Sequence, residues 1–214
     1  MKIKWLGHAT FLITSDAGIK IITDPYVPTD ELRYGEISES AYIVTVSHDH
    51  FDHNNVASVR GKPEVARGTT EVKGIKFRSI ATYHDESQGE KRGKNTVFCF
   101  ELDGIKICHL GDLGHLLTDK QASEIGEVDI LLIPVGGFYT IDASAATKVC
   151  DRLKPRVIIP MHFKTNKCSG LPISGVDAFL KGKTGVAEPD GSEVEFKRGE
   201  LPASTRITVL KPAL

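Results

Sequence analysis

Cysteine is scarce in this chain: four in 214 residues, Cys99, Cys108, Cys150 and Cys168, with no CxxC spacing among them. That pattern argues against zinc-finger chemistry and fits buried thiols in a reducing cytoplasm. Long apolar runs are missing as well. The opening "MKIKWLGHATFLI" reaches polar residues too soon for a signal-peptide core, and nothing later supplies a membrane-spanning helix. A cytoplasmic protein with no membrane partner is therefore expected. Blocks of like charge are absent: 27 Lys and Arg stand against 28 Asp and Glu, a formal net charge of −1. Nucleic acid is a poor default partner for such a surface. No low-complexity stretch or linker divides the chain, and no GxSxG phrase offers a serine nucleophile.

What is present suffices for a core. Hydrophobic residues make up 40% of the sequence and charged residues 26%, and the length suits one domain over residues 1–214. The run "TFLITSDAGIKIITDP" reads as strand, turn and strand, and "AYIVTVS" as a strand buried on both faces. Further strands are expected in "IKFRSIAT", "VDILLIPV" and "RVIIPMH", and in "NTVFCFELDGIKICHLGD", a hairpin turning at Asp103-Gly104. Helices are expected at Val56–Arg60, Thr118–Ile125, Asp142–Leu153 and Val176–Leu180, with Asp142 as an N-cap and Pro155 ending the third. The triplet Gly-Ile-Lys opens a strand at Gly18, Gly74 and Gly104, and two of those strands lead to Asp24 and Asp112. Strands first, then strands alternating with helices, predict an α/β layered domain. Residues 170–214 carry no motif; a short helix and a final strand or hairpin closing the sheet are expected there.

Three of the eight histidines fall within six residues of "VTVSHDHFDHNN", Val44–Asn55. On an extended chain His48, His50 and Asp52 point to one side and His53 to another. That arrangement suits two ions better than one: His48 and His50 on the first, Asp52 and His53 on the second. A solvated polar turn is the competing reading. Against it, four ligand-type side chains follow a buried strand, where leaving them unpaired is costly.

This HxHxDH pattern resembles the metallo-β-lactamase superfamily. The resemblance extends to His84 in "TYHDESQG", Asp112 in "CHLGDLGH" and His162 in "VIIPMHFK", in order and each near the expected C-terminal end of a strand. Asp24 in "IITDP" resembles the superfamily's early aspartate, which supports the ligand loop from behind. The phrases "WLGHAT", "HLGDLGH" and "PMHF" are most similar to the branch that includes ascorbate-6-phosphate lactonase and N-acylphosphatidylethanolamine phospholipase D. The third histidine departs from the "GHT" phrase of β-lactamases and glyoxalase II, so His109 competes with His84; strand alternation favours His84. The fold implied is a four-layer αββα sandwich, two mixed sheets flanked by helices. The centre implied is dinuclear: His48, His50 and His84 on one ion, Asp52, His53 and His162 on the other, and Asp112 bridging. Zinc suits these donors, with manganese or iron as alternatives.

Two divalent ions about 3.5–4 Å apart would lower the pKa of a shared water toward ~7, giving a hydroxide to attack a carbonyl carbon or phosphorus. Asp52 would orient it and pass a proton to the leaving group. His8 and His115 adjoin motif phrases and could face the same mouth. Lys164 could meet a phosphate or carboxylate, although a solvated lysine is its simpler reading. Tyr139 sits in a strand-to-helix loop where Gly136 and Gly137 permit close backbone approach. The expected function is hydrolysis of a small ester, a phosphoester or lactone, with a small molecule as partner and a homo-oligomer left open. A metal-binding or sensing protein and a di-iron redox enzyme are the competing classes.

Overall fold

Turn chemistry and period-two burial account for most of the architecture. The computed structural model describes all 214 residues, Met1–Leu214. Its strands begin with β1 (Lys2–Gly7), β2 (Thr10–Thr14), β3 (Lys20–Thr23), β4 (Ile43–Thr45), β5 (Glu64–Ala66) and β6 (Thr70–Val72). There follow β7 (Ile75–Tyr83), β8 (Lys94–Leu102), β9 (Ile105–His109), β10 (Ile130–Pro134) and β11 (Val157–Met161). The last three are β12 (Val186–Ala187), β13 (Glu193–Glu195) and β14 (Arg206–Thr208). Three α-helices are present: α1 (Asp119–Ile125), α2 (Ala143–Leu153) and α3 (Asp177–Leu180). The β8–β9 hairpin turns at Asp103 and Gly104, both with positive φ, as a two-residue loop matching the strand twist requires.

Two mixed sheets result, ordered β13-β1-β2-β3-β4-β5 and β12-β14-β11-β10-β9-β8-β7-β6. Alternate residues of the first sheet divide between two cores. Ile3, Trp5, Phe11, Ile13, Ile21 and Ile43 join the main cluster shared with the second sheet. Leu12, Ile22 and Val44 pack instead under Tyr26, Leu32, Tyr34 and Ile37. β10 and β11, flanked by parallel partners, are buried along their whole length, as strands covered on both faces should be. Helices α1 and α2 link β9 to β10 and β10 to β11, and α2 buries Ala146, Val149, Cys150 and Leu153. The Thr118 side chain caps α1 and that of Asp142 caps α2. The whole is the expected αββα sandwich. Its layer over the first sheet is thin, built from residues 25–42 and the one-turn helices Val56–Ser58 and Asn166–Cys168.

Two details differ from expectation. The Val56–Arg60 helix shortens to a single turn, Val56–Ser58. The tail supplies the expected short helix, α3, and final strand, β14 beside β11, but it also adds β12 to that edge and sends β13 to pair antiparallel with β1 of the other sheet. The chain end therefore borders both sheets. No helix is long and apolar enough to cross a membrane.

Strand direction gathers the site. β1 and β3 both lie antiparallel to β2, and β4 runs parallel to β3. In the second sheet β7 and β9 both oppose β8, and β10 and β11 run with β9. The C-terminal ends of β1, β3, β4, β7, β9 and β11 lead to His8, Asp24, the His48–His53 segment, His84, Asp112 and His162. All share one edge of the sandwich.

Candidate metal centre

The centre is built on a buried carboxylate. Asp24 follows β3 with φ of 38°. It accepts hydrogen bonds from the Ser47 backbone N–H at 2.8 Å, the Ser47 hydroxyl at 2.5 Å and His53 Nδ1 at 2.9 Å. Because that hydroxyl donates to Asp24, its lone pair is what meets His48 Nδ1 at 2.8 Å, and His48 must be the donor. Both His48 and His53 thus turn an Nδ1 proton inward and present Nε2 to the cavity.

The histidine loop is a turn, not an extended chain. Strand β4 stops at Thr45, and the His53 backbone N–H donates to the His50 carbonyl at 3.0 Å. The side chains therefore converge through a bend rather than by strand alternation, which corrects the extended-chain reading. His48 Nε2 lies 3.1 Å from His50 Nδ1. Asp112 is fixed by Asn95, whose Oδ1 accepts its backbone N–H at 2.9 Å while the Asn95 amide donates to Thr82 Oγ1 and the Leu110 carbonyl. Its Oδ2 then sits 3.1 Å from His53 Nε2, 3.1 Å from His84 Nε2 and 3.3 Å from His162 Nε2. The donor atoms of His48, His50 and His84 lie within 4.8 Å of one another, and so do those of His8, Asp52, His53 and His162.

Two glycines permit this convergence. A Cβ on Gly114 would stand 2.2 Å from the His84 carbonyl carbon, and one on Gly136 would stand 2.3 Å from the His162 carbonyl oxygen.

The electrostatics call for a cation. His53 Nε2 and Asp112 Oδ1 are buried with no hydrogen-bond partner, as are Nδ1 of His84 and of His162, a costly condition for polar atoms. Burial alone would raise the Asp112 carboxyl, but His162 and His53 outweigh it and hold it well below the usual range. Burial opposes ionisation of Asp52 in the same way, and His53 and a hydrogen bond from His8 reverse it. Burial, then the charge of His53, lowers His48 to about 3. Burial, then His162, lowers His8 to about 4. Burial would lower His53 also, yet Asp112 and Asp52 carry it well above the ordinary histidine value. Ionised carboxylates beside imidazoles that are neutral at His8 and His48, and at His53 once it gives up its proton, form a nitrogen and oxygen donor set that a divalent ion satisfies. The residues fit a metal.

Residues 2–162 match the family model described as the Beta-lactamase superfamily domain. The chain belongs to the metallo-β-lactamase superfamily. A protein of Thermococcus onnurineus named UPF0173 metal-dependent hydrolase is 30% identical over 193 residues, covering 77% of this chain and 85% of the relative. One of the same name from Methanosarcina barkeri is 30% identical over 243 residues, covering 99% and 96%. A crystal structure from Thermotoga maritima, titled within the same superfamily, superposes with a TM-score of 0.79 at 41% identity, covering 98% and 97%. The protein is a metal-dependent hydrolase.

The hydrolase opens to solvent through a cavity of about 500 Å³ whose lining includes His8, Asp52, His84, Asp112, Tyr139 and His162. His8 Nε2 meets Asp52 Oδ2 at 3.2 Å, and its ring lies 4.0 Å from that of His162. His109 takes no part: Nε2 donates to the Ala9 carbonyl at 2.9 Å and Nδ1 accepts from the Gly111 N–H at 3.2 Å. His115 also turns elsewhere, accepting the Tyr83 N–H through Nε2 and donating through Nδ1 to the Leu116 carbonyl. It borders a neighbouring cleft instead of the expected mouth. Lys164 is exposed and stands outside the cavity lining. Three residues of the site escaped the sequence reading: Ser47, Asn95 and Arg92. Ser47 adjoins the histidine phrase, but neither Asn95 nor Arg92 lies in a recognisable motif.

Proposed function

We propose that this hydrolase works in the cytoplasm with two divalent ions, zinc being the best match to the donors, on a small phosphoester or lactone. Support comes above all from Asp112 Oδ2, which lies within 3.3 Å of nitrogens from His53, His84 and His162 and so touches both donor clusters. His48, His50 and His84 would hold one ion, and Asp52, His53 and His162 the other, with Asp112 between them. Bound there, two such ions polarise a carbonyl or phosphoryl oxygen and bring the pKa of water toward ~7.

The chain's own residues set the geometry of attack. Asp52 is the natural acceptor for the attacking water: its carboxyl stays ionised, and its side chain is 22% exposed at the cavity. From there it orients the water and passes a proton to the leaving oxygen. His8, neutral at physiological pH by virtue of its lowered pKa, donates to Asp52 and keeps the carboxylate turned to the cavity. Asp24 and Ser47 hold His48 and His53 in one tautomer each. A cavity of about 500 Å³ suits a small molecule.

Metal analysis of protein purified without chelator should find up to two ions per chain. The wild type should cleave members of a panel of p-nitrophenyl phosphodiesters, phosphomonoesters and chromogenic lactones. In Asp52→Ala, kcat should fall roughly 10²–10⁴-fold. Less than half an ion after reconstitution, or undiminished turnover in the variant, would reject this reading.

A further inference from the structure

Arg92 lies on the wall of the metal cavity, far in sequence from any of the motif phrases except His84. Its guanidinium carbon stands 5.5 Å from the ring centre of Tyr139 and 6.0 Å from that of Phe138. The charge thus rests against aromatic faces rather than a carboxylate. Of the other acidic side chains lining the cavity outside the metal cluster, Asp49 is already paired with Arg67 at 2.6 Å, and Glu31 is exposed. Half-buried and backed by two rings, Arg92 keeps its planar donors for a ligand.

The backbone around Arg92 is held firmly. The Asp85 carboxylate accepts four backbone N–H groups, those of Ser87, Gly89, Lys91 and Arg92, at 2.7 to 3.0 Å. The His84 N–H donates to the Gly93 carbonyl at 3.0 Å and closes the loop on itself. A candidate metal ligand and the arginine therefore stand at opposite ends of one internally braced loop. Such bracing is what a recognition group needs, because a fixed donor loses less entropy on binding than a mobile one.

We infer that Arg92 selects the substrate by binding a second oxyanion group on it, a carboxylate or a phosphate, separate from the bond that is cleaved. This rests on the hydrolytic reading above and narrows it to anionic esters. Arginine recognises both groups through the same paired N–H donors, and Tyr139, against which it stacks, borders the same space.

The test uses the metal-loaded enzyme and matched probes. Mono-p-nitrophenyl glutarate and p-nitrophenyl butyrate share a scissile ester and differ in a terminal carboxylate. The ratio of their kcat/KM values should favour the anionic ester in the wild type. In Arg92→Met the ratio should fall roughly ten- to a hundredfold, mainly through KM, the loss expected for a charge-assisted hydrogen bond. Arg92→Lys should recover part of it, which a merely structural role would not explain. Calorimetric titration with butyrate, glutarate and 4-phosphonobutyrate reads the same preference without turnover and separates carboxylate from phosphate-like tails. Tighter binding of either dianion that disappears in Arg92→Met, with metal content retained, supports the inference. Equal binding of all three acids by the wild type, or an unchanged preference in the variant, overturns it. If neither ester is cleaved while the calorimetric preference holds, Arg92 keeps its role, and the reaction itself is judged by the phosphoester and lactone panel.

Discussion

His53 is the residue at which a proton and a cation compete. It is fully buried among Asp24, Asp52 and Asp112, and the last two hold its ring protonated well above the usual pKa despite the opposing effect of burial. A metal ligand must present a lone pair, so binding expels that proton. His48 and His8, lowered to about 3 and about 4 by burial first and neighbouring imidazoles second, have none to give at neutral pH. Metal uptake near pH 7 should therefore release about one proton per chain, and affinity should rise about tenfold per pH unit until His53 deprotonates by itself. Without metal the sign reverses. A raised native pKa stabilises fully below the unfolded value of ~6.5, and that stabilisation is lost as pH rises through the native value. Calorimetric titration of zinc in buffers of different ionisation enthalpy counts the proton. Zero release between pH 6 and pH 8 would show that His53 is already neutral or is not a ligand.

At the scale of elements, close approach of one backbone to another places the candidate ligands. Gly114 lies against the turn after β7, and any side chain there collides with His84 and the Asp85 nitrogen at 2.2 to 2.5 Å. Gly114→Ala should cost about 1–3 kcal/mol of stability through overpacking and weaken metal binding roughly 10- to 100-fold, as loss of a ligand's support does. Zinc affinity by chelator competition, measured beside the melting temperature, checks both. Unchanged affinity in a destabilised variant would confine the glycine to packing. The same scale explains what could be read in advance. Strands such as "VDILLIPV" and "RVIIPMH", and the helix after Asp142, carry local signals of period and capping. The candidate ligand phrases stand out because each sits just beyond a strand end. Ser47, Asn95 and Arg92 act through bonds or stacking to Asp24, Asp112 and Tyr139, partners 17 to 47 positions away. No local pattern records such pairings. The bend at His48–His53 departs from strand alternation for a related reason: strand pairing ends at Thr45, before the histidines begin.

For the whole molecule, the centre is a tie between the two sheets. Asp24 and the His48–His53 segment follow strands of the first sheet, whereas His84, Asp112 and His162 follow strands of the second. Direct bonds across this edge are few, one being the Thr96 N–H to the Ser47 carbonyl at 3.0 Å. A cation held by both sides binds the folded chain and has no equivalent site in the unfolded one, so it stabilises by mass action. At a free metal concentration of one hundred times Kd this is about 2.7 kcal/mol. For a chain of this size each kcal/mol moves Tm by about 2–4 °C, so removal of metal should lower Tm by roughly 5–10 °C. Scanning calorimetry before and after dialysis against chelator, followed by titration with zinc or manganese, measures the shift and ranks the metals. The loss should be larger at pH 8 than at pH 6, because the stabilisation that protonated His53 lends the metal-free protein shrinks once pH passes the unfolded histidine value of ~6.5. A Tm indifferent to chelator and to added metal at both pH values would mean that the sheets are held together without the centre, and that the buried donors coordinate nothing.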